Sequence, residues 1–331
     1  MGSLSGSIAG YQHSKLPNNN PTPYSLLPIP LYPLREIIVV ILIFSFISCA
    51  PRTAQTVPAP EASGGITDAL GRRYVQNENV RRIVSLSPAV TEILFAIGAG
   101  EKVVGVTQYC DYPPEARTRT SVGGFSGATV SVEQIRVLKP DLVILSADMH
   151  ARIVSLLDDL RISSFAVEPR NFPQVYSTIA TLGKITGCEA GAERVIGEMK
   201  SRIAKVEERI RGRERPGVFW VLSEDPLMTA GVQTFVSEVI SLAGGRNIFD
   251  DLQGQWPLVS PEQVLLRKPE WVLLGDDMLN AAALLKKPFW QTLPAVRESR
   301  AAILRADIFY RYGPRLAEGV EVIAGILHPP L

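Results

Sequence analysis

The chain has 331 residues, too many for one small core and about right for two α/β lobes or one large domain. Charged residues make up 20% and hydrophobic ones 46%, ordinary globular proportions that exclude an extended disordered chain. The net charge is +1, and beyond residue 48 the 32 basic and 32 acidic residues balance, which argues against nucleic acid as a partner.

Residues 1–34, with Asn18-Asn19-Asn20 and several prolines, carry no pattern of packed structure. Residues 37–47 read IIVVILIFSFI. That run is too short to span a bilayer, which takes about 20 residues, but it suits the apolar core of a signal peptide. Arg35 precedes it, and Phe46-Ile47-Ser48-Cys49 closes it with a small residue before cysteine. This resembles a bacterial lipobox, which implies a leader over 1–48 and acylation of Cys49; the alternative is a cysteine in a plain signal peptide. Residues 49–66, rich in Pro, Ala, Ser and Gly, have the composition of a flexible tether. Together these features predict an extracytoplasmic lipoprotein held at a membrane through its lipid rather than through a span.

From residue 67 onward strands and helices alternate. Strands are predicted over 83–86, 103–106, 142–145 and 165–167, and helices over 90–97 and 153–160, forming an N-terminal lobe over 67–187. A helix over about 189–211 follows, with Ala192, Val195, Ile196, Met199, Ile203, Val206 and Ile210 on one stripe. It fits a connector over 188–212. The C-terminal lobe, 213–331, opens with a strand over 218–222 and a helix over 234–243. It ends with a strand over 302–305 and a helix over 315–327.

A repeat ties the two lobes together. Residues 131–145, SVEQIRVLKPDLVIL, align without gaps to residues 260–274, SPEQVLLRKPEWVLL, with seven of fifteen positions identical. Composition alone would give about one. Each copy reads as a capped helix, with Ser131 or Ser260 at the N-cap and Gln134 or Gln263 completing a capping box. Lys-Pro then ends the helix and an apolar strand follows. A looser match pairs Thr91-Glu92-Ile93-Leu94 with Ser237-Glu238-Val239-Ile240. The expected fold is therefore α/β, two related lobes, each a mostly parallel sheet flanked by helices, joined by one long connecting helix.

In open parallel sheets a ligand sits beyond the carboxyl ends of the strands. Here those ends read Ser87-Pro88, Tyr109-Cys110-Asp111-Tyr112, Ser223-Glu224-Asp225-Pro226 and residues 307–312. Phe125 and Trp256 precede the two repeat helices, each beside glycines, and an aromatic pair from opposite lobes suits the faces of a flat macrocycle. Core packing of these two rings, and a surface ion pair between Arg311 and Asp307, are the plainer alternatives.

The segments RIVSLSPAVTE (82–92), GVTQYCDYPP (105–114), WPLVSPEQV (256–264) and Gly313-Pro314-Arg315 together resemble the bacterial binding proteins for cobalamin and ferric siderophores. The resemblance covers about residues 67–328 and lies nearest the cobalamin-binding members. It implies two lobes joined by a rigid helix, a ligand in the cleft, and delivery to an ABC-type import permease that is a homodimer. Tyr109, Trp256, Asp307 and Arg311 fall on positions that resemble cobalamin contacts. Phe125 replaces a tryptophan there, and Tyr310 replaces an acid. Glu133 and Glu262 match the glutamates that meet permease arginines. The chain is expected to act as a monomer, with no cofactor besides the bound corrinoid and with no nucleic-acid partner.

Three other functions compete. A siderophore or haem binder of the same family would use the same cleft, Arg311 gripping a carboxylate and Tyr109 or Tyr310 meeting haem iron. A zinc or manganese binder needs several histidines, but the chain has only His13, His150 and His328. An enzyme needs a catalytic motif, and no GxSxG, HExxH, P-loop or CxxC is present.

Overall fold

The computed structural model describes residues 65–75, 79–278 and 280–329. The leader, Cys49 and the tether up to residue 64 lie outside the described residues. The expected tether runs two residues too far. Gly65 and Ile66 already belong to strand β1 (Gly65–Thr67), which pairs antiparallel with β2 (Arg73–Val75).

The first lobe then alternates. Strand β3 (Ile83–Ser85) leads to helix α1 (Pro88–Ala96), and β4 (Val103–Val106) to β5 (Thr120–Ser121). Next come α2 (Val132–Val137), β6 (Leu142–Ser146), α3 (Ala147–Asp159) and β7 (Ser164–Val167). The five strands lie in the order β5-β4-β3-β6-β7, every pair parallel. Their apolar runs are buried on both faces, as a parallel sheet between helix layers requires.

Two helices carry the chain across. Helix α4 (Phe172–Thr186) starts at Asn171, whose side chain accepts from the Gln174 N–H, and stops at Gly187 in the left-handed conformation (φ 67°). Its apolar side chains at 172, 175, 179, 182 and 185 keep the helical period, a signal present in the sequence although not read there. Helix α5 (Glu189–Ile210) packs on α4 and α1 from the first lobe.

The second lobe holds β8 (Gly217–Glu224), β9 (Leu227–Thr229), α6 (Phe235–Leu242), β10 (Arg246–Asn247), α7 (Pro261–Arg267) and β11 (Trp271–Gly275). Short helices α8 (Ala281–Leu284), α9 (Pro288–Thr292) and α10 (Pro294–Arg297) lead to β12 (Ala301–Leu304), α11 (Ala306–Tyr310) and α12 (Leu316–Leu327). The sheet order is β10-β8-β11-β12, all parallel, with β9 antiparallel on β8. Helices α6 and α12 pack on α5, so one buried core runs from Ile83 and Leu142 through Val195 and Met199 to Trp220 and Val320.

The repeat is visible in the backbone. Lys139 and Lys268, at matching positions, both adopt positive φ (46° and 47°) and turn the chain from helix to strand. The capping differs. Ser260 and Gln263 form the full reciprocal box, whereas Ser131 only accepts from the Gln134 N–H. The Ser131 N–H is already given to the Val122 carbonyl at 2.8 Å, leaving no donor for Gln134. The looser repeat pair is more informative. Glu92 reaches from α1 to Arg311 and Arg315 of the second lobe. Glu238 reaches back from α6 to the Phe172 N–H at the start of α4, at 3.1 Å. Matching glutamates thus fasten the lobes in both directions.

Candidate functional site

A cavity of about 820 Å³ lies between the lobes, near the upper end of the range for small-molecule sites. Its walls are the segments that follow the strands: Ser87 after β3, Tyr109 and Asp111 after β4, Phe125 after β5, residues 146–150 after β6 and 168–170 after β7. The second lobe contributes Trp256 after β10, Asp276 and Asp277 after β11, and residues 305–312 after β12.

All six residues singled out for the ligand, Tyr109, Phe125, Trp256, Asp307, Tyr310 and Arg311, line this one cavity. The segment at 223–226 does not. Strand β8 continues past its parallel partners into a hairpin with β9, and Glu224 is held by Lys287. The hairpin carries that carboxyl end away from the cleft.

Each lobe offers an aromatic pair. Phe125 is presented by a tight loop in which Gly124 N–H donates to the Thr129 carbonyl at 2.9 Å. Gly123 has φ 114°, and a Cβ there would lie 2.4 Å from the Thr129 oxygen, so only glycine fits. The Phe125 ring meets Tyr109 edge-on at 5.8 Å. Opposite, Trp256 meets Tyr310 edge-on at 5.6 Å. Gly231 makes room for the Trp256 loop: its N–H donates to the Gln255 carbonyl at 2.8 Å, and a Cβ would strike the Gly254 oxygen. Phe125 and Tyr109 are exposed large apolar rings, so core packing does not account for them, whereas Trp256 is half-buried and also packs against the core shared by the lobes.

The charges follow a definite arrangement. Arg311 does not pair with Asp307. Its Nη1 donates to Glu92 at 3.0 Å and to Asp111 at 2.7 Å, while Asp307 accepts from Arg315 at 2.8 Å. Glu92 also accepts two bonds from Arg315, at 2.8 and 2.5 Å. Burial opposes the Asp111 charge, but the Arg311 hydrogen bond and charge hold that carboxyl below its usual range. On the other wall, Arg170 is held by Asp148 at 2.5 Å, and Glu168 accepts from the Ser146 hydroxyl at 2.6 Å. Six carboxylates face three guanidiniums in the lining, and each guanidinium is already paired. Asp276 and Asp277 have no ion-pair partner among the described residues; burial, and then Asp276, raise the Asp277 carboxyl above its usual range.

His150 lines the cavity without being free to act. The Ser146 N–H donates to Nδ1 at 3.3 Å, which places the proton on Nε2, and Nε2 donates to the Phe125 carbonyl at 3.0 Å. Burial lowers its proton affinity below the ordinary histidine value. His328 is likewise buried against the Gly244 carbonyl at 3.2 Å. Cys110 and Cys188 are free thiols, Cys110 buried beside Thr107.

Sequence reasoning named Glu92 and Arg315 only within motifs, and missed Asp148, Glu168, Arg170, Asp276 and Asp277 as cleft residues. The strand-end rule would have found the last five had it been applied to β6, β7 and β11 as well. The interlobe pairing of Glu92 had no sequence signal, since its partners lie more than 200 positions away.

Residues 83–308 match the family model described as periplasmic binding protein. An uncharacterized ABC transporter substrate-binding lipoprotein of Bacillus subtilis is 33% identical over 272 residues, covering 80% of this chain and 85% of its own length. The periplasmic vitamin B12 binding protein BtuF of Vibrio cholerae has 30% identity and a TM-score of 0.65, covering 75% of this chain and 96% of that one. The periplasmic heme-binding protein RhuT of Roseiflexus sp. RS-1, in apo form, has 28% identity and a TM-score of 0.66, covering 76% and 98%. Among the described residues, no helix is long and apolar enough to cross a membrane. With two parallel-sheet lobes about one long helix and an aromatic-lined cleft at the strand ends, this chain belongs to the periplasmic binding protein family, the solute-binding components of ABC importers.

Proposed function

We propose that this protein captures a corrinoid such as cobalamin in the interlobe cleft and hands it to a homodimeric import permease. The observation that carries the reading is the lining itself. Aromatic rings from both lobes suit the apolar faces of a flat macrocycle. The excess of carboxylates, with every guanidinium already paired, suits a neutral or cationic ligand. Haem carries two propionates and ferric catecholates are strongly anionic, so both would bring like charge to Asp276 and Asp277. Tyr310 is also engaged within the protein: its hydroxyl accepts from the Trp220 indole N–H at 3.3 Å and its ring packs on Trp256, while Tyr109 stands exposed in the lining. Titration calorimetry of the protein with cyanocobalamin, haem and a ferric catecholate tests the assignment. Cobalamin should bind tightest, and Trp256→Ala should weaken it tenfold or more, an aromatic contact being worth about 1–3 kcal/mol. No binding of cobalamin with clear binding of haem would transfer the reading to a haem carrier.

Docking is assigned to Glu133 and Glu262, exposed at matching positions in the first turns of α2 and α7. One turn further along the same faces, Val137 and Leu266 also match, and they are 68% and 80% exposed. Each lobe therefore carries an acid and an apolar side chain in the same register, which suits a partner with a twofold axis. Acylation of Cys49, which would anchor the chain extracytoplasmically, is supported by the run ending at Ser48 and by the lipoprotein name of the Bacillus relative. Labelled fatty acid should enter the wild type and not Cys49→Ala; equal labelling would remove the anchor from this reading.

A further inference from the structure

We propose that Glu92 sets the charge selectivity of the cleft: it holds the guanidinium of Arg311 back from the ligand, so that carboxylate-bearing ligands cannot grip it. The inference rests on the corrinoid reading for its choice of neutral probe, but its central comparison does not involve cobalamin.

The geometry is specific. Arg311 lines the cavity, and Glu92 stands behind it on α1 of the opposite lobe. Glu92 is 3% exposed and accepts from Arg311 Nη1 and from two nitrogens of Arg315, itself 7% exposed. Charge-assisted bonds of this kind are short and strong, and burial spares them from screening by water. The other carboxylate on Arg311, Asp111, has a side chain 44% exposed and is correspondingly screened. Glu92 is therefore the partner that decides where the guanidinium points. Arg315 has other restraints: it donates to Asp307 and lies over the Tyr112 ring at 4.1 Å. Neutralising Glu92 would leave Arg315 fastened and would leave Arg311 held only from the cleft side, by the half-exposed Asp111 at 2.7 Å and by the Tyr109 carbonyl at 3.4 Å, both of which a ligand carboxylate can displace. Glu92 does not reach the cavity lining, so it acts as a positioning residue for Arg311 rather than as a ligand contact.

The test compares haem with haem dimethyl ester, which share iron and macrocycle and differ in the two carboxylates. Affinities are measured for the wild type, Glu92→Gln and Glu92→Gln/Arg311→Gln, with cyanocobalamin as the neutral reference. The ratio of haem to ester affinity should rise about tenfold in Glu92→Gln, the scale of one charge-assisted contact. The double variant should lose that gain, because it is delivered through Arg311. An unchanged ratio in folded Glu92→Gln, or a gain that survives in the double variant, overturns the proposal. If circular dichroism shows that Glu92→Gln does not fold, Glu92→Asp keeps the charge and withdraws the carboxylate from Arg311 by one methylene. It should shift the same ratio in the same direction by about threefold, and no shift there overturns the proposal equally. A wild type that ignores cyanocobalamin would remove the corrinoid reading while leaving the haem-to-ester comparison intact.

Discussion

His150 shows how one side chain couples the floor of the cleft to its aromatic rim. It joins the start of α3 to the loop that presents Phe125 and does so as a neutral ring. Because burial lowers its pKa below the ordinary 6.5, the unfolded chain takes up a proton there before the folded one does. Stability from this group is full above the unfolded value and is lost as pH falls from about 6.5 toward the lowered folded value. Thermal unfolding between pH 7.5 and pH 5 should therefore show a steeper loss for the wild type than for His150→Gln. Parallel curves would mean that His150 does not titrate in this window. The aromatic positions were legible at this scale because glycine-flanked aromatics at strand ends are a local signal. The partners of Arg311 were not, because an ion pair between lobes leaves no local pattern. The alternative of a surface pair with Asp307, four positions before Arg311, does not hold, because Asp307 pairs with Arg305 and Arg315 instead.

At the scale of elements, the repeat did most to define the architecture. Two helix-strand copies with the same cap, the same Lys-Pro stop and the same apolar strand dictate two similar crossover units. In each the helix joins parallel strands, β5 to β6 through α2 and β10 to β11 through α7, so it begins at the carboxyl-end edge of its sheet. That places Glu133 and Glu262 on the edge where the cleft opens. An acid in the first turn of a helix is stabilised by the helix dipole by about 0.3–1 kcal/mol, which accounts for either residue alone. It does not account for the matching exposed Val137 and Leu266. Reversing both glutamates to lysine should leave ligand affinity in solution intact and sharply reduce permease-dependent uptake, since like charges facing each other cost several kcal/mol. Single reversals should give intermediate loss. Full uptake by the double variant in a permease-dependent growth assay would contradict this docking surface. What the element-level reading missed, α4 and the β8–β9 hairpin, it missed for different reasons. Helix α4 carried a readable cap and period. The hairpin extends a strand whose apolar core ends at Val221, so nothing in the alternation announced that the backbone runs on to Glu224.

For the whole molecule, the contact between lobes determines how a ligand is held. Helix α5 packs on α1 and α4 on one side and on α6 and α12 on the other, and Arg202 of α5 makes a two-pronged pair with Glu321 of α12 at 2.8 and 2.5 Å. Phe235 touches Phe172 and Tyr312, and the crossed bonds of Glu92 and Glu238 add fixed points at the base of the cleft. A continuous core with such restraints resists hinge opening, because parting the lobes would strand buried charge. The radius of gyration from small-angle scattering should accordingly change little when ligand is added. A marked contraction would show a hinge that these contacts do not restrain. The sequence by itself determined the paired α/β crossovers, the long helix and the aromatic strand ends. Each of those is written in local periodicity, caps and composition. Only the tertiary structure decided which carboxylate holds which arginine, and that β8 turns away from the cleft. Those outcomes depend on residues far apart in the chain meeting in a shared, poorly solvated space, where burial and pairing rather than local propensity set the energy.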